Sequence, residues 1–364
     1  MKIFCIADIH FGKRKENESL YKELNKYFLS SIREKGADLV VLLGDLTDTK
    51  LQLNSEAVMY YNKFMDDLHR LAESMDFMII AVNGTFSHER NQIKSFSHYF
   101  DKKLIYFDKP GSFFYKDLGF YILPEEYSRT KEEQANLNYD LKHMDCYSFV
   151  FGHGMFDHAG AAAIQSDSTK TRMTWNWKQF EKVKHRVVFG HIHIGTKYKN
   201  VIYCGSFSRD KFGEEEPKGF YYFNVENGVL VEEKKIINED APKYIYVYIA
   251  MLPTELDDLL KTLRKYSEEN DYIRVVIDKP IPEEHYNNIL SFVKNHENTS
   301  VVNKLPKRLA IKDESEEENT SIYYERLKKY KGMDFIEITK NVAKDLYNED
   351  FTTEEINESI KEEK

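Results

Sequence analysis

Short apolar runs that end in metal-binding side chains recur along the first part of this chain. The opening run reaches Ala7 and leads directly into Asp8 and His10. Four later runs end in the same way, at Gly44-Asp45, Asn83-Gly84, Gly152-His153 and Gly190-His191-Ile192-His193. Short apolar runs bounded by turn residues predict buried β-strands. Because strand ends are where an α/β sheet gathers a site, the pattern predicts one site built from several strands.

Helical and strand patterns change along the chain. Helical spacing of apolar residues predicts helices over Leu20–Glu34 and Ser55–Glu73, and their alternation with the early strands favours parallel pairing. Later segments instead predict hairpins and a meander, with strands at Ser112–Tyr115, Phe120–Leu123, Val201–Cys204, Gly219–Val225 and Val229–Ile236. We therefore expect an α/β fold in which two sheets pack face to face between flanking helices.

A second, smaller unit is predicted to begin near Pro242. Its pattern is strand, helix, strand, helix, over Tyr244–Ile249, Glu255–Tyr266, Tyr272–Ile277 and Glu283–Val293. An acidic stretch at 311–320 predicts a solvated linker, and helical spacing follows at Ile322–Tyr330 and Phe335–Tyr347. Such a helix pair cannot bury its apolar face alone, which predicts a partner-binding segment. The expected divisions are a main domain at 1–240, a capping domain at 241–310, the linker at 311–320 and the helical segment at 321–364.

The distribution of charge limits how this chain could bind nucleic acid. The net charge of −9 argues against a uniformly basic nucleic-acid binder. Most of that charge lies in Lys312–Lys364, where nine basic and sixteen acidic residues leave −7. Affinity for DNA would therefore have to come from local basic patches and from bound metals.

Cysteine usage and the hydropathy pattern predict the compartment. Cys5, Cys146 and Cys204 fall in predicted strands at irregular spacing, which favours buried thiols over a disulfide framework. No apolar run approaches the ~20 residues that cross a bilayer, and the opening of the chain lacks a signal-peptide pattern. We expect a cytoplasmic protein with no membrane association, or one in the host cytoplasm if the chain is viral.

Seven metal-capable side chains follow the predicted strands: Asp8, His10, Asp45, Asn83, His153, His191 and His193. Imidazole combined with oxygen ligands and no thiolate suits manganese, iron or zinc rather than a structural zinc site. Seven ligands are too many for one ion, and a carboxylate such as that of Asp45 can bridge two ions. Two adjacent cations can hold a phosphate, activate water and stabilise a leaving oxygen.

The same residues carry a family resemblance. In chain order, the motifs resemble those of calcineurin-like metallophosphoesterases: Asp8-x-His10, Gly44-Asp45, Asn83 with His88, Gly152-His153 and Gly190-His191-x-His193. The resemblance implies a four-layer α/β/β/α sandwich. It also implies two ligand sets that share Asp45, namely Asp8, His10 and His193 on one ion and Asn83, His153 and His191 on the other.

The third motif departs from the family pattern, in which the asparagine and the histidine are contiguous. Here Gly84–Ser87 separates Asn83 from His88. We interpret these four residues as an insertion that loops out and returns His88 to the site. In the family this histidine contacts the phosphate and helps to protonate the leaving oxygen, so the resemblance predicts a general-acid role for His88.

A later segment resembles a particular branch of that family. Cys204–Arg209, Phe212–Glu214 and Lys218–Phe220 are similar to the corresponding segments of SbcD-type nucleases, the nuclease subunits of DNA repair complexes. The resemblance implies two Mn²⁺ ions, exonuclease action on duplex ends and endonuclease action on single strands or hairpins. It also implies a DNA-positioning capping domain, an SbcC-like coiled-coil ABC-type ATPase bound by the terminal helices, and a homodimer formed through the Ser55–Glu73 helix.

Basic residues near the metal motifs are candidate DNA contacts. Lys197, Arg209 and Lys211 could neutralise DNA phosphates if they share a face. Two other functions compete with the nuclease prediction. One is a general metal-dependent phosphodiesterase or phosphatase, with the capping domain as a lid over a small substrate. The other is a metal-bound scaffold for the ATPase, in which the interrupted third motif marks weak or lost catalysis.

Overall fold

The structure is a computed structural model, and it describes residues 1–14, 16–49, 51–52, 54–89, 103–125, 130–156 and 174–305. Its strands are β1 (Lys2–Ile6), β2 (Leu39–Leu42), β3 (Met78–Val82), β4 (Leu104–Phe107), β5 (Gly111–Tyr115), β6 (Leu118–Leu123), β7 (Phe149–His153), β8 (Met155–Phe156), β9 (Thr174–Trp175), β10 (Arg186–Gly190), β11 (Thr196–Tyr198), β12 (Val201–Tyr203), β13 (Gly219–Glu226), β14 (Val229–Ile237), β15 (Tyr244–Tyr248), β16 (Tyr272–Ile277) and β17 (Thr299–Asn303). The α-helices are α1 (Asn17–Glu23), α2 (Ser30–Lys35), α3 (Glu56–Met75), α4 (Lys131–Lys142), α5 (Leu256–Glu269) and α6 (Glu283–Lys294).

Two six-stranded sheets form the body of the molecule. The strand order is β14-β13-β1-β2-β3-β4 in the first sheet and β11-β12-β10-β7-β6-β5 in the second. From β1 to β4 the first sheet is parallel, and β13 and β14 extend it in antiparallel fashion. In the second sheet β6, β7, β10 and β12 are parallel. The predicted parallel start and the later antiparallel hairpins are both present.

The alternation of side chains along β1 shows how the layers form. Cys5 points into a core between the two sheets that also contains Phe151. Phe4, one residue earlier, packs on the opposite face of the sheet in a core that includes Phe64 of α3. Leu137 of α4 contributes to a third core on the outer face of the second sheet. Because helices therefore cover both outer faces, the fold has the order helix, sheet, sheet, helix, which confirms the predicted α/β/β/α class.

The helix predicted over Leu20–Glu34 is continuous but irregular. A π-helical segment, Leu24–Leu29, joins α1 to α2. The hydroxyl of Ser30 donates a 2.9 Å hydrogen bond to the carbonyl of Asn25, five residues earlier. The backbone N–H of Ser30 donates to the same carbonyl. The side chain of Ser30 therefore adds a second hydrogen bond across the wider π turn.

The small unit after Pro242 is a three-stranded parallel sheet, β15-β16-β17, whose crossovers are α5 and α6. Its observed elements lie within a few residues of the predicted ones. Leu263 of α5 and Ile289 of α6 are fully buried, so both helices pack an apolar face. Met1–Asn303 form one compact unit. The domain boundaries stay predictions, and the linker at 311–320 and the helical segment at 321–364 lie outside the described residues.

One cysteine prediction is wrong. Cys5 and Cys204 are buried thiols, as expected, but Cys146 is exposed. It ends a short 3₁₀ turn, Met144–Cys146, in which Met144 takes the buried position instead. Among the described helices, none has the length and apolar character needed to span a membrane.

Candidate metal centre

The seven predicted ligand residues lie at the carboxyl ends of five parallel strands. Asp8 and His10 follow β1, Asp45 follows β2 and Asn83 follows β3, while in the second sheet His153 ends β7 and the two remaining histidines follow β10. The sheets face each other, so the ends of strands from both sheets converge on one place. This convergence is what the strand-end pattern predicted.

The backbone at these positions adopts a conformation that non-glycine residues rarely take. Asp8, His10, Asp45 and His191 have φ angles of 50°, 53°, 52° and 86°. Backbone hydrogen bonds hold two of them, from Asp8 N to the carbonyl of Gly44 (3.1 Å) and from His10 N to the carbonyl of Asp45 (3.0 Å). Left-handed backbone at several neighbouring residues is a form of strain that concentrates at functional sites.

Gly44 is required by the packing of this site. Its φ of +83° favours glycine, and a Cβ atom there would lie 2.6 Å from Nδ1 of His153. Glycine therefore lets the loop after β2 approach the imidazole closely enough to place Asp45 beside it.

The first group of ligands consists of Asp8, His10 and His193. Nε2 of His10 and Nε2 of His193 lie 2.9 Å apart. Nδ1 of His193 donates to the carboxylate of Glu214 at 2.8 Å, and Nδ1 of His10 lies 3.5 Å from Asp48. With a hydrogen on Nδ1 of His193, its Nε2 lone pair faces Nε2 of His10. Such an arrangement fits a cation between the two rings, since the carboxylate of Glu214 orients His193 as a metal ligand.

The second group consists of Asp45, His153 and His191. Nδ1 of His153 donates to the carbonyl of Leu43 at 2.6 Å, which leaves the Nε2 lone pair pointing at Oδ2 of Asp45, 3.2 Å away. Nδ1 of His191 lies 3.2 Å from the carboxylate of Glu125. The donor atoms of this group are thus imidazole nitrogens and carboxylate oxygens, a set that suits a divalent cation.

The electrostatics of the centre also fit cations. Burial lowers the pKa of His153, but the carboxylates of Asp45, Asp8 and Glu125 outweigh burial and raise that pKa well above the usual value. Burial and, to a smaller extent, the neighbouring carboxylate of Asp45 raise the pKa of Glu89 to about 7. Several buried carboxylates around few fixed positive charges are costly unless protons or metal ions compensate them.

His88 lies beside the first group. Its ring is 4.9 Å from that of His10, and its Nδ1 lies 3.6 Å from Oδ1 of Asp48. Its side chain is 29% exposed, so one edge of the ring can reach a substrate. The backbone N–H of His88 donates to the carbonyl of Thr85 in a tight turn, which is how the chain returns His88 to the site.

The interpretation of Gly84–Ser87 needs one correction. Only Phe86 and Ser87 protrude, whereas Gly84 and Thr85 are buried. The Gly84 N–H donates to Glu89, and the Thr85 N–H donates to Asp45. These hydrogen bonds satisfy the buried backbone and hold the first half of the segment in the site rather than outside it.

Asn83 makes contacts that the ligand prediction did not include. It is buried, its Oδ1 accepts a 2.6 Å hydrogen bond from the hydroxyl of Tyr106, and its Nδ2 donates to the carbonyl of Gly84. Its ligand role stays a prediction.

Sequence reasoning missed four residues that contact the two groups: Asp48, Thr85, Glu125 and Glu214. Glu125 follows the end of β6 and so carries the same strand-end signal as the others. Asp48 lies three residues after Asp45, in the loop that the Gly-Asp motif opens. The contacts of Thr85 and Glu214 could be seen only in the folded structure, because their partners are distant in sequence.

Two of the three candidate DNA contacts have partners in the protein. Lys197, on β11, pairs with Glu233 on β14, a strand of the other large sheet. The guanidinium of Arg209 donates to the carbonyls of Glu214 and Ala241, among others, and so holds the loop after β12 together. Lys211 is exposed. The placement of Arg209 indicates a structural role, and DNA binding by these three residues stays a prediction.

Comparison with known proteins gives one family match. The family model described as calcineurin-like phosphoesterase matches residues 1–195. Similar solved structures include a dimetal phosphatase from Danio rerio, which is 11% identical in sequence. The match covers 66% of this chain and 99% of that chain, with a TM-score of 0.39. A protein of unknown function from Aquifex aeolicus has 16% identity, coverage of 45% and 85%, and a TM-score of 0.25. Likeness at this level does not bear on activity. No curated protein matches the chain.

Proposed function

This chain belongs to the calcineurin-like phosphoesterase family, and from that membership we propose that it is a DNA nuclease subunit of an SbcCD-like repair and recombination complex. The family implies metal-dependent hydrolysis of phosphoesters by a centre with two divalent cations. The proposal adds the substrate, DNA, with exonuclease action on duplex ends and endonuclease action on single strands or hairpins. It also adds Mn²⁺ as the metal and the cytoplasm as the compartment.

The single observation that carries the proposal is the place of the SbcD-like segment in the metal centre. Glu214 and Lys218, two of the residues on which that resemblance rests, are buried next to His193. Glu214 accepts the Nδ1 hydrogen of His193, and Nζ of Lys218 donates to the carbonyl of His193 at 3.0 Å. The segment that resembles SbcD-type nucleases therefore orients a metal ligand, which supports a shared chemistry.

A cavity beside the centre supports a nucleotide-sized substrate. It has a volume of about 540 Å³ and is lined by residues of both the main body and the small unit, including Lys13, Arg14, Asp210, Tyr244 and Tyr272. Lys13 links it to the first ligand group, because its Nζ lies 3.2 Å from the carboxylate of Asp48. Arg14 is held in an ion pair with Glu23, and the carboxylates of Glu16, Asp210, Asp271 and Glu297 also line the cavity. The lining groups suited to a nucleotide are therefore Lys13, which can contact a phosphate, and the tyrosine rings, which can contact a base.

The side chains around the cations would have different roles in hydrolysis. Two divalent cations, when bound, would polarise the phosphoester and lower the pKa of a water molecule. Nδ1 of His88 is held by the backbone carbonyl of Asp48, which leaves Nε2 to carry a proton for the leaving oxygen. Glu214 and the carbonyl of Leu43 hold the imidazoles of His193 and His153 in orientation.

Digestion of DNA tests the proposal directly. Linear duplex and single-stranded DNA are incubated with Mn²⁺ beside bis(nitrophenyl) phosphate, using the wild type, His88→Ala and Asp45→Ala. We expect the wild type to degrade DNA. His88→Ala should lose roughly 10²–10⁴ in rate with its metals retained, whereas Asp45→Ala should lose activity together with metal.

Other outcomes favour the competing functions. Turnover of the small ester without DNA cleavage would indicate a general phosphodiesterase. DNA binding without cleavage of either substrate would indicate a scaffold for the ATPase. The proposed SbcC-like ATPase should co-purify with the full chain, and the proposed homodimer through α3 should give twice the monomer mass in sedimentation.

A further inference from the structure

The hydroxyl of Thr85 lies at the centre of the second ligand group. Its Oγ1 is 2.8 Å from Oε2 of Glu125 and 3.1 Å from Oδ2 of Asp45. It is also 3.3 Å from Nε2 of His153 and 3.4 Å from Nδ1 of His191. Four donor atoms of other residues therefore surround one buried hydroxyl oxygen.

Those four donor atoms also neighbour one another. Nε2 of His153 lies 3.2 Å from Oδ2 of Asp45 and 3.5 Å from Oε2 of Glu125. Nδ1 of His191 lies 3.2 Å from Oε2 of Glu125. The five atoms thus form a pyramid, with the Thr85 oxygen at its apex and the other four around its base.

The edge lengths of this pyramid match those around a six-coordinate cation. When ligand atoms lie about 2.1 Å from an ion in octahedral geometry, atoms at adjacent corners are about 3 Å apart. The seven distances given above run from 2.8 to 3.5 Å. The five atoms would together supply five ligands to such an ion.

The charges of the cluster also suit a cation. Oγ1 of Thr85 faces the carboxylates of Asp45 and Glu125, and both carboxylates are buried. Because Nδ1 of His153 donates to Leu43, Nε2 of the neutral ring has a lone pair that faces the same cluster. A divalent cation there would bind that lone pair and balance the charge of the two buried carboxylates.

Asn83, in contrast, faces different partners. Its amide oxygen accepts from Tyr106 and its amide nitrogen donates to the carbonyl of Gly84. The Gly84-Thr85 step after the asparagine turns the chain so that the next side chain enters the cluster.

We propose that Thr85 and Glu125 are ligands of the second divalent cation, together with Asp45, His153 and His191, and that Asn83 is not a ligand. Three oxygen and two nitrogen donors favour a hard to borderline ion such as Mn²⁺. This inference rests on the two-metal centre of the proposed function, but it does not depend on DNA as the substrate.

Manganese binding to the metal-free full chain tests the assignment, by titration calorimetry and by the electron paramagnetic resonance of unbound Mn²⁺. The wild type should bind two ions. Thr85→Val and Glu125→Gln should keep one tight site and weaken the other at least roughly tenfold. Thr85→Ser retains the hydroxyl and should bind two ions, as should Asn83→Ala.

Matched controls separate ligand loss from misfolding. Thr254→Val and Glu268→Gln make the same chemical changes at exposed positions and should bind two ions. Melting of each metal-free variant checks that it is folded. Retention of both ions by Thr85→Val or Glu125→Gln, or loss of one ion by Asn83→Ala, overturns the assignment. A chain that shows the expected metal pattern but cleaves no DNA contradicts the nuclease proposal and leaves the ligand assignment standing.

Discussion

At the scale of single residues, the metal centre depends on groups that hold the ligands as much as on the ligands. Glu214 is buried, and burial raises its pKa, but His193 and Lys218 outweigh that effect and lower the pKa to about 2. A carboxylate that stays charged behind an imidazole makes the opposite ring nitrogen a stronger donor to a cation. Glu214 is therefore a positioning residue for the first metal.

Glu214→Gln should weaken the first metal site by roughly ten- to a hundredfold and leave the second site intact, because the neutral amide no longer polarises His193. Titration calorimetry with Mn²⁺ measures both affinities. The exposed neighbour Glu215 supplies the matched control, and Glu215→Gln should behave as the wild type. Equal affinities in the two variants would show that Glu214 has no part in metal binding.

At the scale of secondary-structure elements, one buried ion pair holds α1 against the loops that carry the site. Oε1 of Glu23 lies 2.5 Å from Arg14, in the loop that follows the first ligands. Oε2 of Glu23 accepts hydrogen bonds from Ser208 and Asn238, at 2.7 and 2.8 Å, in two later loops. One carboxylate thus joins three loops to a helix.

Glu23→Gln should lower the free energy of unfolding by about 3 kcal/mol, since it leaves the guanidinium of Arg14 buried without its counter-charge. Urea denaturation followed by tryptophan fluorescence measures the change. Glu18→Gln, on the exposed face of the same helix, removes an ion pair with Lys22 and should lower the free energy of unfolding far less, because solvent screens that pair. If the two substitutions cost the same, the buried network does not stabilise α1.

The sequence predicted the sheets and the strand-end side chains that cluster at the site because both depend on short-range patterns. Apolar runs mark β1, β2, β7 and β10, and each run ends at the residue that the site uses. Thr85 and Glu125 were missed for a different reason. The role of Thr85 depends on the exact turn after β3, which has no local signature. Glu125 does follow a strand, but its role depends on β6 lying beside β7, and that pairing is a long-range feature. The exposure of Cys146 likewise depends on which side of a short turn faces the core.

At the scale of the whole molecule, everything needed for metal binding lies in one part of the chain. All residues of both ligand groups fall within the compact unit Met1–Asn303. The predicted ATPase-binding segment, 321–364, is separate in sequence. We therefore predict that phosphoester hydrolysis and ATPase binding depend on different parts of the chain.

A chain that ends at Leu305 should bind two Mn²⁺ ions and hydrolyse bis(nitrophenyl) phosphate at the rate of the full chain, because no ligand is lost. The same chain should fail to co-purify with the ATPase. Pull-down of the ATPase with the full and the shortened chains, together with ester hydrolysis, measures both effects. Capture of the ATPase by the shortened chain would place the binding surface within Met1–Asn303 instead.

The left-handed backbone at Asp8, His10, Asp45 and His191 should affect how fast the site binds its cations. Each such residue costs of order 1 kcal/mol, and that cost is borne when the chain folds. The candidate ligands would therefore be positioned before a cation binds, and little rearrangement of the protein would be needed. The shape of the site is preorganised, and loading should be governed by how quickly the hydrated ion sheds its water.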